Sequence, residues 1–157
     1  MTTHRIVFTL LFVLALAALS TSQDRRSRDF ETLEGAWIID IDVPPAPRAQ
    51  ILATFARGGT IVADGNAANP VLRSSWHGLW TPRSYLDFTS TWRRWNFDAA
   101  GNVVGATEFR LDIDVDRRLE AFSGTVEARI LDRAGTLTAS RPGAFRATRL
   151  NIQRPSL

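Results

Sequence analysis

The 157-residue chain contains no cysteine and no lysine, one methionine, one tyrosine and two histidines. Without cysteine, no disulfide can staple the fold, so stability must come from packing and hydrogen bonding. The same absence excludes a thiol nucleophile and a thiolate zinc site. His4 lies in the leader described below, which leaves His77 as the one imidazole of the remaining chain. A multi-histidine metal site within one chain is thereby excluded. A Ser-His-Asp relay would have to use His77, and no Gly-x-Ser-x-Gly accompanies it. Lysine is needed to complete a Gly-x-x-x-x-Gly-Lys phosphate loop, and that motif is absent. No cofactor motif is present, and no cofactor is expected. All 19 basic residues are arginine, the habit of a GC-rich, bacterial coding sequence. The formal net charge of +3 is small. It predicts neither nucleic-acid binding nor a polybasic membrane patch.

Long apolar runs are also scarce. The longest, Ile6 to Leu19, falls short of the roughly 20 residues that a spanning helix needs. It follows a basic start at His4-Arg5 and ends in Ala17-Ala18-Leu19-Ser20-Thr21-Ser22. That pattern predicts a secretory signal peptide over 1–22, cleaved between about Ser20 and Gln23. A flexible, charged lead over 23–32 follows, with Arg25-Arg26-Ser27-Arg28 solvated. The mature protein is therefore expected to be secreted or periplasmic, with no membrane span.

What the chain does have is two-residue alternation. In Gly35-Ala36-Trp37-Ile38-Ile39-Asp40-Ile41-Asp42-Val43, the residues Trp37, Ile39, Ile41 and Val43 share one face. That is the period of a half-buried strand. Pro44-Pro45-Ala46-Pro47 ends it, since proline cannot donate to a ladder. Further strands are predicted at 50–55, 60–63, 74–80, 85–97, 103–115, 119–131 and 136–150, the last with a break at Arg141-Pro142-Gly143. Gly58-Gly59, Asp98-Ala99-Ala100-Gly101-Asn102, Asp116-Arg117-Arg118 and Asp132-Arg133-Ala134-Gly135-Thr136 read as tight turns. No segment carries a convincing 3.6-residue apolar period. A meander of eight hairpin-joined strands satisfies its two edges by closing, so the expected fold is all-β: an eight-stranded antiparallel up-and-down barrel over 33–151, with a short tail at 152–157. An open sandwich is the alternative.

Gly35-Ala36-Trp37 on the first strand, seven more hairpin-joined strands and Arg149 near the end together resemble the lipocalin-like (calycin) barrels, in particular the uncharacterised members secreted by bacteria. The resemblance implies that Trp37 plugs one end of the barrel, that Gly35 lets the chain turn into it, and that Arg149 packs over the indole. It covers most of 33–151 in pattern but is specific only at Gly35-Ala36-Trp37. A Thr-Asp-Tyr motif at the middle hairpin and a helix after the last strand are both missing.

Two stretches could carry a site. In Trp76-His77-Gly78-Leu79-Trp80, the two tryptophans share a strand face and His77 lies on the other. His77 reads either as a locally bonded surface residue or as a base or ligand donor at a barrel mouth. In Tyr85 to Phe97, neither parity is cleanly apolar, and a bulge near Thr89 to Thr91 would switch faces. Under either parity an arginine shares a face with a tryptophan two residues away. If that face is interior, Trp and Arg suit an aromatic or amphiphilic ligand with an acid group. If it is exterior, they form a cation–π ladder on the wall. The candidate ligand-binding residues are therefore Trp76, His77, Trp80, Tyr85, Trp92, Arg93 and Trp95. Asp40, Asp42, Asp112 and Asp114 alternate with core residues and are expected to face solvent.

Three functions remain open: a carrier for a small hydrophobic or amphiphilic molecule, monomeric or dimeric; a cyclase or isomerase using His77, Tyr85, Asp87 and Arg93 inside the barrel; or a barrel filled by its own side chains.

Overall fold

Alternation sets the architecture, and the computed structural model, which describes residues 33–66 and 70–151, follows it strand by strand. The signal peptide, the charged lead and the tail expected at 1–32 and 152–157 lie outside the described residues. Eight strands follow in chain order: β1 (Gly35–Asp42), β2 (Ala49–Ala56), β3 (Thr60–Gly65), β4 (Trp76–Pro82), β5 (Asp87–Phe97), β6 (Val103–Val115), β7 (Ala121–Asp132) and β8 (Leu137–Arg149). Each pairs antiparallel with the next, and β1 pairs with β8, so the sheet closes into a barrel. Among the described residues there is no α-helix, and one short 3-10 turn, Pro70–Leu72, lies between β3 and β4.

Closure works because most strands present an apolar row inward. Trp37, Ile39 and Ile41 of β1 are buried, as are Ile51, Ala53 and Phe55 of β2 and Leu111, Ile113 and Val115 of β6. Nine buried aromatic rings form one connected network along the interior. It runs from Trp37 to Phe122 (4.6 Å), through Phe55 to Trp92 (5.9 Å), from Trp92 to Trp76 (6.5 Å), and from Trp76 to Phe109 (4.3 Å). Trp80, Phe88 and Phe145 join it at 5.6–6.4 Å. Edge and offset contacts of this kind add about 0.5–1.5 kcal/mol each beyond area burial. Small residues make room for the large ones. Gly78 lies opposite Trp92, where a Cβ would come within 2.3 Å of the Thr91 carbonyl and 3.0 Å of the Trp92 ring.

Three turns share one construction. Asp98, Asp116 and Asp132 each accept, at the main-chain oxygen, a bond from the residue three positions on, and their side chains accept from main-chain N–H groups beyond it. The third residue after the aspartate is left-handed: Gly101 (φ 82°), Gly135 (φ 84°) and, without glycine, Leu119 (φ 60°). Leu119 tolerates the strain because its side chain packs against the core.

Two expectations are corrected. Strand β8 does not break at Arg141-Pro142-Gly143 but pairs with β7 throughout that stretch, with Glu127 opposite Pro142. Strand β1 ends opposite Ala144, so beyond it β8 is paired on one side only, where a proline is tolerated. No bulge lies at Thr89 to Thr91. The register in β5 is continuous there and shifts only between Asn96 and Phe97.

Candidate binding site at the loop end of the barrel

The barrel has two unlike ends. Strand β1 enters at one, and residues 43–48, 70–75, 98–102 and 133–136 cluster at the other. The entry end is sealed by Trp37. Its indole Nε1 donates to the Leu33 carbonyl at 3.0 Å, and the guanidinium of Arg149 lies 4.3 Å from the ring centroid. Arg149 in turn donates from Nε to the Leu119 carbonyl (2.8 Å) and from Nη1 to the Glu34 carbonyl (2.7 Å), tying three segments together. Gly35 sits at φ 131°, and a Cβ there would lie 2.5 Å from Nη1 of Arg149. Glycine is required here both for its backbone angle and for the space it leaves.

A second arginine–tryptophan stack lies at the loop end. The continuous register in β5 sends Phe88, Ser90, Trp92 and Arg94 inward and Thr89, Thr91, Arg93 and Trp95 outward. Arg94, 9% exposed, places its guanidinium carbon 4.2 Å from the centroid of Trp76, which is itself 1% exposed and stacked on Phe109. Next to them on the same inner face, Asn96 and Thr107 exchange hydrogen bonds at 3.1 and 3.2 Å. The segment leading into β4 is held beside β5. Arg73 bridges to Asn96, the Ser74 N–H donates to the Trp95 carbonyl, and the Ser74 hydroxyl accepts from the Trp95 N–H.

The two stacks differ in how their donors are used. At the entry end the indole and the guanidinium both have acceptors. At the loop end Nε of Arg94 and Nε1 of Trp76 are buried with no hydrogen-bond partner among the described residues. Buried donors in this state are uncommon and costly. Burial pushes the Arg94 guanidinium down to about 10, Arg73 adds to that through charge repulsion, and Asp64 partly offsets it. Arg94 therefore remains a cation at neutral pH.

The sequence candidates divide between inside and outside. Trp76, Trp80 and Trp92 are buried in the barrel. Trp80 lies toward the entry end and donates to the Ala56 carbonyl (3.2 Å), and Trp92 donates to the Ser90 hydroxyl (3.0 Å). Of these three, only Trp76 has an unpartnered N–H. His77, Arg93 and Trp95 lie on the outer wall, and Tyr85 is exposed in the turn before β5. Asp87 also has outward parity and accepts from the Ser84 hydroxyl. None of the four groups considered for chemistry inside the barrel faces its interior.

Arg93 is engaged elsewhere. With Arg110 and Arg129 it surrounds Glu108 on the outer wall, at 2.5, 3.0 and 2.8 Å. Burial would raise the Glu108 carboxyl, but hydrogen bonds from Arg93, Arg129 and Arg110 outweigh it and hold the group below its ordinary value. The inward-facing arginine of β5 is thus Arg94, which sequence reasoning did not single out. It shares a strand face with Phe88 and Trp92, but Ser90 and Asn96 on that same face hide the apolar row. A separate groove of about 700 Å³ runs along β8, β1 and β2, lined in part by Asp40, Asp42, Arg48 and Gln50. Within it Arg48 is bonded to Asp42 (2.9 Å) and Gln50 to Asp40 (3.0 Å), and its lining does not include the Trp76 stack. Among the described residues no group of three or more His, Asp or Glu could hold a metal ion.

Compared with known proteins, the chain matches no family model, no curated protein and no solved structure.

Proposed function

We propose that the protein is a secreted, lipocalin-like carrier for a small apolar or amphiphilic molecule, which it holds at the loop end of the barrel. The observation that carries this reading is the contrast between the ends. One is closed by an arginine–tryptophan stack with its donors satisfied, and the other presents the same pair with buried donors free. The Gly35-Ala36-Trp37 entry and the Arg149 stack support the lipocalin-like assignment. An aromatic platform beside a cation suits a ligand with an apolar body and an acid group.

Titration of the mature chain with aromatic acids, fatty acids and retinoids, followed by tryptophan fluorescence, tests the reading. Trp76 is expected to respond, because it stacks in the proposed site. No change with any of these would overturn it. Export is tested by N-terminal sequencing of the protein recovered outside the cytoplasm, with a new terminus expected between about Ser20 and Gln23. A second reading, a barrel filled by its own side chains, is favoured by the connected ring network. It leaves the buried donors of Arg94 and Trp76 without a role.

A further inference from the structure

The carrier reading leaves the head group and the size of the ligand open, and the residues around Arg94 narrow both. Three observations bear on them. First, Nε of Arg94 and Nε1 of Trp76 are two unpartnered N–H donors within one stack, 4.2 Å from guanidinium carbon to ring centroid. The indole face holds the guanidinium in place, and a planar fork of N–H groups matches a planar carboxylate with its two acceptor oxygens. Second, the charges that act on Arg94 are Arg73 and Asp64. Two cations and one carboxylate leave a single positive charge for a ligand to neutralise, and Asp64 is already accepting from the Ser75 hydroxyl (3.0 Å). Third, the rings below Trp76 touch one another down to Trp37, through Trp92, Phe55 and Phe122. A long chain could not thread along the axis without separating them.

We propose that Arg94 and Trp76 form the receptor for the carboxylate of a short, singly charged apolar or aromatic acid, seated at the loop end rather than along the barrel axis. This rests on the carrier reading and goes beyond it by naming the holder, the head group and the length of the ligand. Asn96 and Thr107, bonded to each other on the same inner face, offer the next polar contacts for such a molecule.

Calorimetric titration of the mature protein with benzoate, benzamide, inorganic phosphate and palmitate tests the assignment, together with the neutral dye N-phenyl-1-naphthylamine. Benzoate is expected to bind, and benzamide to bind roughly tenfold to a hundredfold more weakly, as for loss of a charge-assisted hydrogen bond. Arg94→Met is expected to reduce benzoate affinity by a similar factor. Trp76→Phe keeps the ring, removes the indole N–H and should cost a few-fold. Near-UV circular dichroism checks that each variant is folded; if Arg94→Met is not, Trp76→Phe decides the matter. Equal affinity for benzoate and benzamide, or unchanged benzoate binding in the folded variants, overturns the proposal. Phosphate binding as tightly as benzoate overturns the carboxylate assignment, and palmitate binding far more tightly than benzoate overturns the short ligand. If the dye binds wild type and Arg94→Met alike while benzoate does not bind, the head-group proposal falls and the carrier reading stands. If nothing binds, both fall.

Discussion

Replacing Arg94 by methionine should make the ligand-free protein more stable. Methionine keeps the length of the stem and can remain against Trp76, since thioethers pack well on aromatic rings. What is lost is a buried cation whose Nε has no acceptor. Its pKa is pushed down from the ordinary arginine value to about 10, chiefly by burial. A base whose folded pKa is depressed is penalised while charged. The penalty is therefore complete below pH 10 and disappears only as pH rises toward the unfolded value. At about 1.4 kcal/mol per pH of displacement, the ceiling is about 3 kcal/mol. Water reaching the outer part of the guanidinium reduces that, and the cation–π contact with Trp76 returns about 1 kcal/mol. A net gain of about 1 kcal/mol is expected, or about 3–6 °C in Tm for a domain of this size. Urea denaturation at pH 7 should show a higher midpoint with an unchanged slope, and the advantage of the variant should shrink above pH 10. A folded variant that is less stable than wild type by 1 kcal/mol or more would refute the reasoning, because the guanidinium would then be stabilising the barrel rather than being kept at its expense.

At the sealed end, Gly35→Ala places a side chain at φ 131° and displaces Arg149. A loss of about 2 kcal/mol is expected in chemical denaturation, with red-shifted Trp37 fluorescence. Leu119 offers a paired test of turn strain. Leu119→Ala should cost about 1 kcal/mol of burial, while Leu119→Gly should recover about the same amount by relieving φ 60° and be near neutral. The acid limb of the stability curve should carry Glu108. Its lowered pKa means that its contribution is present above the ordinary value of 4.5 and is lost as pH falls below it. Glu108→Gln should therefore cost about 1–2 kcal/mol at pH 7, discounted for the exposure of Arg93 and Arg110, and little near pH 3.

The barrel was legible in the sequence wherever the inner row is wholly apolar. In β1 and β6 the alternation of Trp37, Ile39 and Ile41, and of Phe109, Leu111, Ile113 and Val115, is uninterrupted. The turns at Asp98 and Asp132 announce themselves through glycine. The turn at Asp116 has the same construction but hides its left-handed residue behind a leucine. Strand β5 was not legible for a different reason: its inner row contains Ser90, Arg94 and Asn96. Each is polar and inward because of a partner on another residue, Ser90 for the Trp92 indole, Arg94 for the Trp76 face and Asn96 for Thr107. None of those partners can be read from hydrophobic period. With Trp95 on the outside, the two faces of β5 look equally mixed, and the period alone does not tell Arg93 from the inward Arg94.

That illegibility is itself informative. A strand whose pattern disagrees with its burial is where structure has been shaped by something other than stability. The two arginine–tryptophan stacks turn this into a comparison within one molecule. Arg149 over Trp37 uses its N–H groups on the Glu34 and Leu119 carbonyls, and Trp37 uses its own on Leu33, so every donor named there closes a seam of the barrel. Arg94 over Trp76 repeats the contact at nearly the same distance, 4.2 against 4.3 Å, yet leaves Nε and Nε1 unused. If stacking alone were the purpose, a leucine or methionine at position 94 would fill the same volume without a buried charge. A guanidinium retained there is what the proposed carboxylate ligand would require as its partner, and the stability of Arg94→Met measured against its affinity for benzoate sets those two demands directly against each other.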